Sequence, residues 1–425
     1  MTFRDLGLKE NILLAIEGLG FTMPTPIQQQ AIPMMLATDN DFVGLAQTGT
    51  GKTAAYGLPM VQKMIFADPI VQGLVICPTR ELCLQVAKDI ESYSSAYTQS
   101  RVVAVYGGVD INKQIKSIQK GAHIIVATPG RLVDLIKRKK VKLDQIRIVA
   151  LDEADEMLNM GFKEDIDFIL SKTPKEKSVW LFSATMPKEV ERIAKNYMKD
   201  PERIVVGHQN QGSETIDHVY FQVKERDRYY AMKRFIDMHP DIFGLIFCRT
   251  RRDTQKVADN LIKDGYNATP LHGDMSQAQP DQVMGQFRNK NIQMLVATDV
   301  AARGIDVDDV THVINYMLPD EIENYTHRSG RTGRAGRKGV SMAILNTREG
   351  NKIKAIEKKS KVSFTKIEVP QAKDICGAQL HHLMKKMVDV EVREKEIAPY
   401  LIEVIHQFEH LTKEEILERW LTVEM

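Results

Sequence analysis

Residues 46–53 read AQTGTGKT and residues 149–158 read VALDEADEML, and these two stretches decide how the rest of the chain is read. The first follows the GxxxxGK[ST] phosphate-loop pattern, with Ala46 in place of the first glycine. Gly49 and Gly51 lack the Cβ that would hold backbone N–H groups away from an oligophosphate, Lys52 adds a point charge, and Thr53 offers Mg2+ a hydroxyl. Strand-like FVGLA (42–46) precedes the loop and helix-like TAAYGLPMVQKMIF (53–66) follows it, which is the context the motif requires. In the second stretch, IRIVALD (146–152) reads as a buried parallel strand that delivers Asp152 to its C-terminal edge, where open α/β sheets bind ligands.

The chain has 425 residues, enough for two or three domains with proper cores, and its 43% hydrophobic and 27% charged content is that of a globular protein rather than a disordered one. A net charge of +2 neither supports nor excludes nucleic acid, because a local basic groove suffices. MTFRDLGLKE lacks a signal sequence, and no apolar run approaches the roughly 18 residues that span a bilayer, so a cytoplasmic protein is expected. Cys77, Cys83, Cys248 and Cys376 form no CxxC pair and read as reduced core thiols; His381 and His382 read as a helix-surface pair rather than metal ligands.

Short apolar runs alternate with helical patterns: GLVIC (73–77), VVAVY (102–106), HIIVA (123–127), IRIVAL (146–151) and SVWLF (178–182). That alternation predicts a parallel α/β sheet. Polar GHQNQGSET (207–215) reads as a linker, after which HVYFQV (218–223), GLIFC (244–248), NATPL (267–271), IQMLVAT (292–298), THVINY (311–316) and GVSMAIL (339–345) predict a second unit. The expected fold is therefore α/β, with parallel-sheet domains at 1–206 and 216–365, a linker at 207–215 and a helical extension at 366–425. Only the first unit has a phosphate loop. In the second, HRSGRTGRAGRKG (327–339) sets Arg328, Arg331, Arg334 and Arg337 three residues apart among glycines, a pattern too flexible for an ordinary helix face. It is read either as a solvated or nucleic-acid-binding loop or as arginines delivered to nucleotide phosphates across the domain boundary.

In order along the chain, Phe3, GFTMPTPIQ (20–28), AQTGTGKT, PTRELCLQ (78–85), GG (107–108), TPGR (128–131), DEAD (152–155), SAT (183–185), IFCRT (246–250), LHGD (271–274), ATDVAARGID (297–306) and HRSGRTGR (327–334) resemble the motif set of the DEAD-box ATP-dependent RNA helicases of superfamily 2, and among them the bacterial cold-shock and ribosome-assembly type. The resemblance covers residues 1 to about 365 and implies two tandem RecA-like domains. It further implies that Phe3 stacks on adenine and Gln28 reads its edge, that Thr48, Gly49, Thr50, Gly51 and Lys52 hold the phosphates, and that Asp306 touches the ribose. Thr53 and Asp152 are implied as holders of Mg2+, Glu153 as the group that orients and deprotonates water, and Arg331 and Arg334 as arginine fingers. Ser183 and Thr185 would couple the acidic motif to closure.

For RNA, the matching positions are Pro78, Thr79, Arg80, Gly108, Thr128 and Arg131 in the first domain and Thr250, Gly273 and Thr298 in the second. Hydroxyl and glycine residues suit a phosphate and sugar grip with little sequence preference. Pro280 departs from the pattern, standing where the family carries an RNA- or motif-contacting arginine. The activity implied is RNA-stimulated ATP hydrolysis coupled to local, non-processive duplex unwinding or RNP remodelling. The alternative is an ATP-gated RNA clamp serving as an assembly platform; a DNA translocase is disfavoured because such proteins lack the Phe3 and Gln28 arrangement. Residues 366–425 hold eight Lys/Arg against twelve Asp/Glu, which argues against an RNA-gripping tail. In position they resemble a dimerisation segment, so a homodimer is expected, and with no further RNA-binding module visible, either substrate choice comes from elsewhere or the chain is truncated.

Overall fold

The structure is a computed structural model that describes residues 1–46, 49–206, 215–273, 279–302, 307, 310–333, 337–391 and 394–424. Thr48, Asp306, Arg334 and linker residues 207–214 lie outside the described residues.

Strands β1 (Phe42–Leu45), β2 (Gly73–Ile76), β3 (Val102–Val105), β4 (Ile124–Ala127), β5 (Ile148–Leu151), β6 (Ser178–Ser183) and β7 (Glu202–Val205) form a sheet in the order β3-β4-β2-β5-β6-β1-β7. A second sheet, β10-β11-β9-β12-β13-β8-β14, is built from β8 (Ile216–Val223), β9 (Gly244–Cys248), β10 (Ala268–Leu271), β11 (Met294–Thr298), β12 (His312–Asn315), β13 (Gly339–Asn346) and β14 (Phe364–Lys366). All pairings are parallel. Strand for strand the two orders coincide, with β8 in the place of β1 and β12 in the place of β5, so the second unit repeats the first.

The strands read as unbroken apolar runs because both faces of the first sheet are covered. Phe42, Ile148, Ala150, Trp180 and Phe182 join one core, and the alternate residues Val43, Val149, Leu151, Val179 and Leu181 join the other. The sequence reading missed β7 and β14, which occupy the same edge in each sheet and are short and mostly exposed or half-buried. β14 also carries the second sheet one residue past the boundary expected at 365.

Three helices follow it: Ala372–Asp389, Glu394–Phe408 and Lys413–Glu424. The first docks on the helix Arg228–Met238 of the second unit. Gln379 Nε2 donates to the Asp237 carbonyl at 2.5 Å, and His382 Nδ1 lies 3.2 Å from Asp241 Oδ1. Cys376 is exposed on this helix, a correction to its reading as a core thiol, whereas Cys77, Cys83 and Cys248 are buried. No described helix is long and apolar enough to cross a membrane.

Trp180 is 1% exposed in the middle of β6. Replacing it with Ala is expected to cost about 3–5 kcal/mol of the first domain's stability, read as a lower urea midpoint for its unfolding transition by circular dichroism.

Candidate active site and RNA interface

The candidate phosphate site forms where β1, β5 and β6 end side by side. The Ala46 N–H donates to the Ser183 carbonyl at 3.1 Å, and the Asp152 N–H to the Ile76 carbonyl at 2.9 Å. Gly49 and Gly51 take left-handed φ values of 79° and 85°, which let the chain turn into the helix Lys52–Lys63. A Cβ on Gly51 would also lie 2.4 Å from Gln28 Nε2, so glycine is required twice over.

Gln28 is 4% exposed; its Oε1 accepts from the Thr25 N–H at 2.9 Å and its Nε2 donates to the Gly51 carbonyl at 3.0 Å. It therefore ties the helix Pro26–Ala37 to the phosphate loop, besides lining the cavity beside it. Phe3, expected to stack on adenine, is 5% exposed. The ring on the wall is Phe21, whose centroid is 6.0 Å from that of Phe3. Phe3 belongs to the apolar core that underlies Phe21.

The acidic run is almost wholly buried, with Asp152 3%, Glu153 9%, Asp155 1% and Glu156 5% exposed. Asp152 Oδ2 accepts from the Tyr56 hydroxyl at 2.8 Å and Oδ1 from the Glu153 N–H at 3.0 Å. Burial raises the Asp152 carboxyl above its ordinary pKa, against the pull of Lys52, whose Nζ donates to the Ala46 carbonyl at 3.0 Å. Glu153 sits in the left-handed region at φ 50°, ψ 50°, a conformation costing a non-glycine residue about 1–2 kcal/mol. Burial raises its pKa too, opposed first by the Arg331 guanidinium.

Asp155 Oδ2 accepts from Thr185 N–H at 2.9 Å and Thr185 Oγ1 at 2.5 Å, while the Asp155 N–H donates to Ser183 Oγ at 3.3 Å. Ser183 and Thr185 thus grip the acidic run. Glu156 reaches the second unit: its Oε1 makes a short contact with His327 Nδ1, and His327 Nε2 lies 3.8 Å from Asp155 Oδ2. Arg331 lines the same cavity as Lys52, Thr53, Asp152 and Glu153. The two units are therefore closed on one another across this site.

The arginine segment resolves into different roles. Helix Ile322–Ser329 contains His327 and Arg328, a correction to its reading as too flexible for a helix. Arg328 is 2% exposed and serves the fold: it forks onto Asp299 at 2.5 and 2.7 Å and bonds Asn315 Oδ1 at 3.0 Å and the Met317 carbonyl at 2.7 Å. Arg331 alone among these described arginines lines the cavity. Tyr56, Phe21, Glu156 and His327 were given no role by the sequence reading. His327 and Glu156 stood inside quoted motifs, and Tyr56 was hidden in an apolar helix face.

The candidate RNA residues also gather at strand ends. Thr79, after β2, and Thr250, after β9, each cap a helix, accepting from Leu82 N–H at 3.2 Å and Asp253 N–H at 3.1 Å. Thr128 follows β4 and precedes the helix Pro129–Lys137; Thr298 ends β11 and accepts from Ala301 N–H at 3.3 Å. Since β9 and β11 repeat β2 and β4, the four threonines form two equivalent pairs at helix N-termini, where phosphates are favoured. Arg80 lies over the Tyr106 ring at 5.1 Å and borders Gly108, and Pro78 directly precedes Thr79. Arg131 bonds the Val109 carbonyl and Gln114 Oε1, and Gly273 is exposed beside Arg251. The helix Gln279–Arg288 begins one residue before Pro280, as a proline in a first turn allows.

The fold and site are those of a two-domain nucleotide hydrolase, with residues of both domains lining one cavity. Residues 25–193 match the DEAD/DEAH box helicase family, 227–336 the helicase conserved C-terminal domain, and 375–425 a helical domain described for a probable ATP-dependent RNA helicase. The chain is 42% identical over 386 residues to the DEAD-box ATP-dependent RNA helicase CshA of Bacillus cereus, covering 91% of this chain and 73% of that one. It is 43% identical over 380 residues to CshA of Limosilactobacillus reuteri, covering 89% and 76%. Among solved structures it resembles S. cerevisiae Dbp5 bound to RNA and ADP BeF3, with a TM-score of 0.81 and 30% identity over 91% of this chain and 99% of that one. Mss116p bound to ssRNA and AMP-PNP matches with a TM-score of 0.79 and 27% identity, over 98% and 87%. The chain belongs to the DEAD-box ATP-dependent RNA helicases, a family of ATP-hydrolysing enzymes.

His327 is buried, which by itself disfavours its charge, but Glu156, Asp155 and Glu153 together raise its pKa above the ordinary value. A raised folded-state pKa stabilises the closed state at low pH and loses that contribution as pH rises through it. Closure, followed by energy transfer between dyes on the two domains, is therefore expected to weaken as pH climbs past the ordinary histidine range, and His327→Asn is expected to flatten that dependence.

Proposed function

We propose that this chain couples RNA-stimulated ATP hydrolysis to local, non-processive separation of short RNA duplexes or remodelling of RNA–protein complexes. The observation that carries the reading is Arg331 of the second domain on the wall that holds Lys52, Asp152 and Glu153 of the first. Hydrolysis then depends on closure, and RNA bound across both domains favours closure.

In this reading Gln28 and Phe21, braced by Phe3, hold adenine. Gly49, Thr50, Gly51 and Lys52 cradle the phosphates, with Thr48 and Asp306 retained as candidates. Glu153 orients the attacking water and takes its proton, a task suited to a buried carboxylate of raised pKa. Arg331, joined by Arg334, stabilises charge developing on the γ-phosphoryl group. Thr53 and Asp152 would hold Mg2+; an oxygen-only pair lining one cavity fits a hard cation completed by phosphate and water. Bound there, Mg2+ would neutralise phosphate charge. Ser183 and Thr185 transmit closure to Asp155. Pro78, Thr79, Arg80, Gly108, Thr128, Arg131, Thr250, Gly273 and Thr298 grip the RNA backbone, so discrimination among sequences is weak. The reading places the enzyme in the cytoplasm, in keeping with free buried thiols at Cys77, Cys83 and Cys248.

ATP turnover is expected to rise on adding single-stranded RNA, to vanish in Glu153→Gln, and to fall roughly 10³–10⁵-fold in Arg331→Ala. Equal turnover with and without RNA would sink the coupling. Stable RNA retention with negligible strand separation would instead favour a clamp.

The helical extension leaves Val388, Val390, Tyr400, Ile402 and Val423 at least 60% exposed, and its acidic balance disfavours RNA as their cover. We infer a second copy of the chain as the partner. Light scattering should give twice the chain mass for the full protein and the monomer mass after deletion of residues 390–425; a monomeric full chain would end this reading.

A further inference from the structure

The helix Lys52–Lys63 carries a polar atom that the roles above leave without a task, the hydroxyl of Tyr56. Tyr56 is 0% exposed, and its ring packs on Phe182 of β6 with centroids 5.1 Å apart. A buried hydroxyl persists only where it is partnered. Here the partner is Asp152, whose Oδ2 lies 2.8 Å away. Thr53 and Tyr56 are three residues apart on one helix, so their side chains share a face.

The donor inventory sets the direction of this bond. A phenol has one hydrogen, and a carboxylate can only accept, so Tyr56 gives its hydrogen to Asp152. Thr53 and Asp152 both line the cavity. Asp152 is held at its other oxygen as well, by the Glu153 N–H at 3.0 Å.

We propose that Tyr56 is a positioning residue of the Mg2+ site: its hydroxyl, donating to Asp152, orients the carboxylate that holds the cation. The inference rests on the assignment of Mg2+ to Thr53 and Asp152. A phenylalanine at 56 fills the same space on Phe182 but leaves one Asp152 oxygen unanchored. Partners of this kind change metal affinity while leaving the fold in place.

The test is equilibrium binding of a fluorescent ADP analogue to the full chain, titrated with Mg2+, so that no turnover is needed. Tyr56→Phe is expected to require roughly 10–100-fold more Mg2+ to reach the half-maximal effect. Its affinity in EDTA should equal that of the unaltered protein, and its ATP turnover should recover at saturating Mg2+. An unchanged Mg2+ midpoint overturns the proposal, as does a turnover deficit that saturating Mg2+ leaves in place. A fall in metal-free affinity also overturns it, because the hydroxyl would then be shaping the phosphate loop. If nucleotide binding by the unaltered protein ignores Mg2+, the metal assignment itself fails, an outcome distinct from the failure of the Tyr56 role.

Discussion

Four carboxylates within five residues, Asp152, Glu153, Asp155 and Glu156, are each at most 9% exposed. Burying unpaired charge is costly enough that every one of them must find a partner. Each partner comes from a different part of the chain: Tyr56 on the phosphate-loop helix for Asp152, Thr185 after β6 for Asp155, and the second domain's Arg331 and His327 for Glu153 and Glu156. Satisfying this short run therefore joins the nucleotide loop, the coupling segment and the other domain in one network. In the proposed mechanism closure and catalysis share a physical cause, since the groups that offset the buried charge are the ones assigned to the chemistry.

The repeated sheet order gives this network its geometry. With β8–β14 repeating β1–β7, threonine-capped helices open from equivalent strand ends in both domains. One half of the repeat added a phosphate loop and acidic run, the other an arginine segment. The two domains thus present topologically equivalent strand ends with different chemistry.

Much of this was legible in the chain. The two domains followed from apolar runs punctuated by helical periods, because strands buried on both faces must be apolar throughout. β7 and β14 escaped because edge strands bury little and carry no such pattern. Spacing was a poorer guide in HRSGRTGRAGRKG, where equally spaced arginines take unequal roles: Arg328 is locked to Asp299 in the fold while Arg331 faces the nucleotide cleft. Phe3 and Phe21 were likewise separable only by depth, which no sequence pattern records.

The sequence by itself determined the chemistry: a glycine-rich loop with lysine and threonine, a carboxylate run at a strand end, and arginines in a second unit admit few other readings. Tertiary structure alone decided which side chains complete the site. Hydrogen bonds and charge pairing act over a few ångströms, and residues such as Tyr56 and Asp152 come within 2.8 Å only once the sheet is assembled. His327 and Glu156, 171 residues apart in the chain, meet only when the domains close.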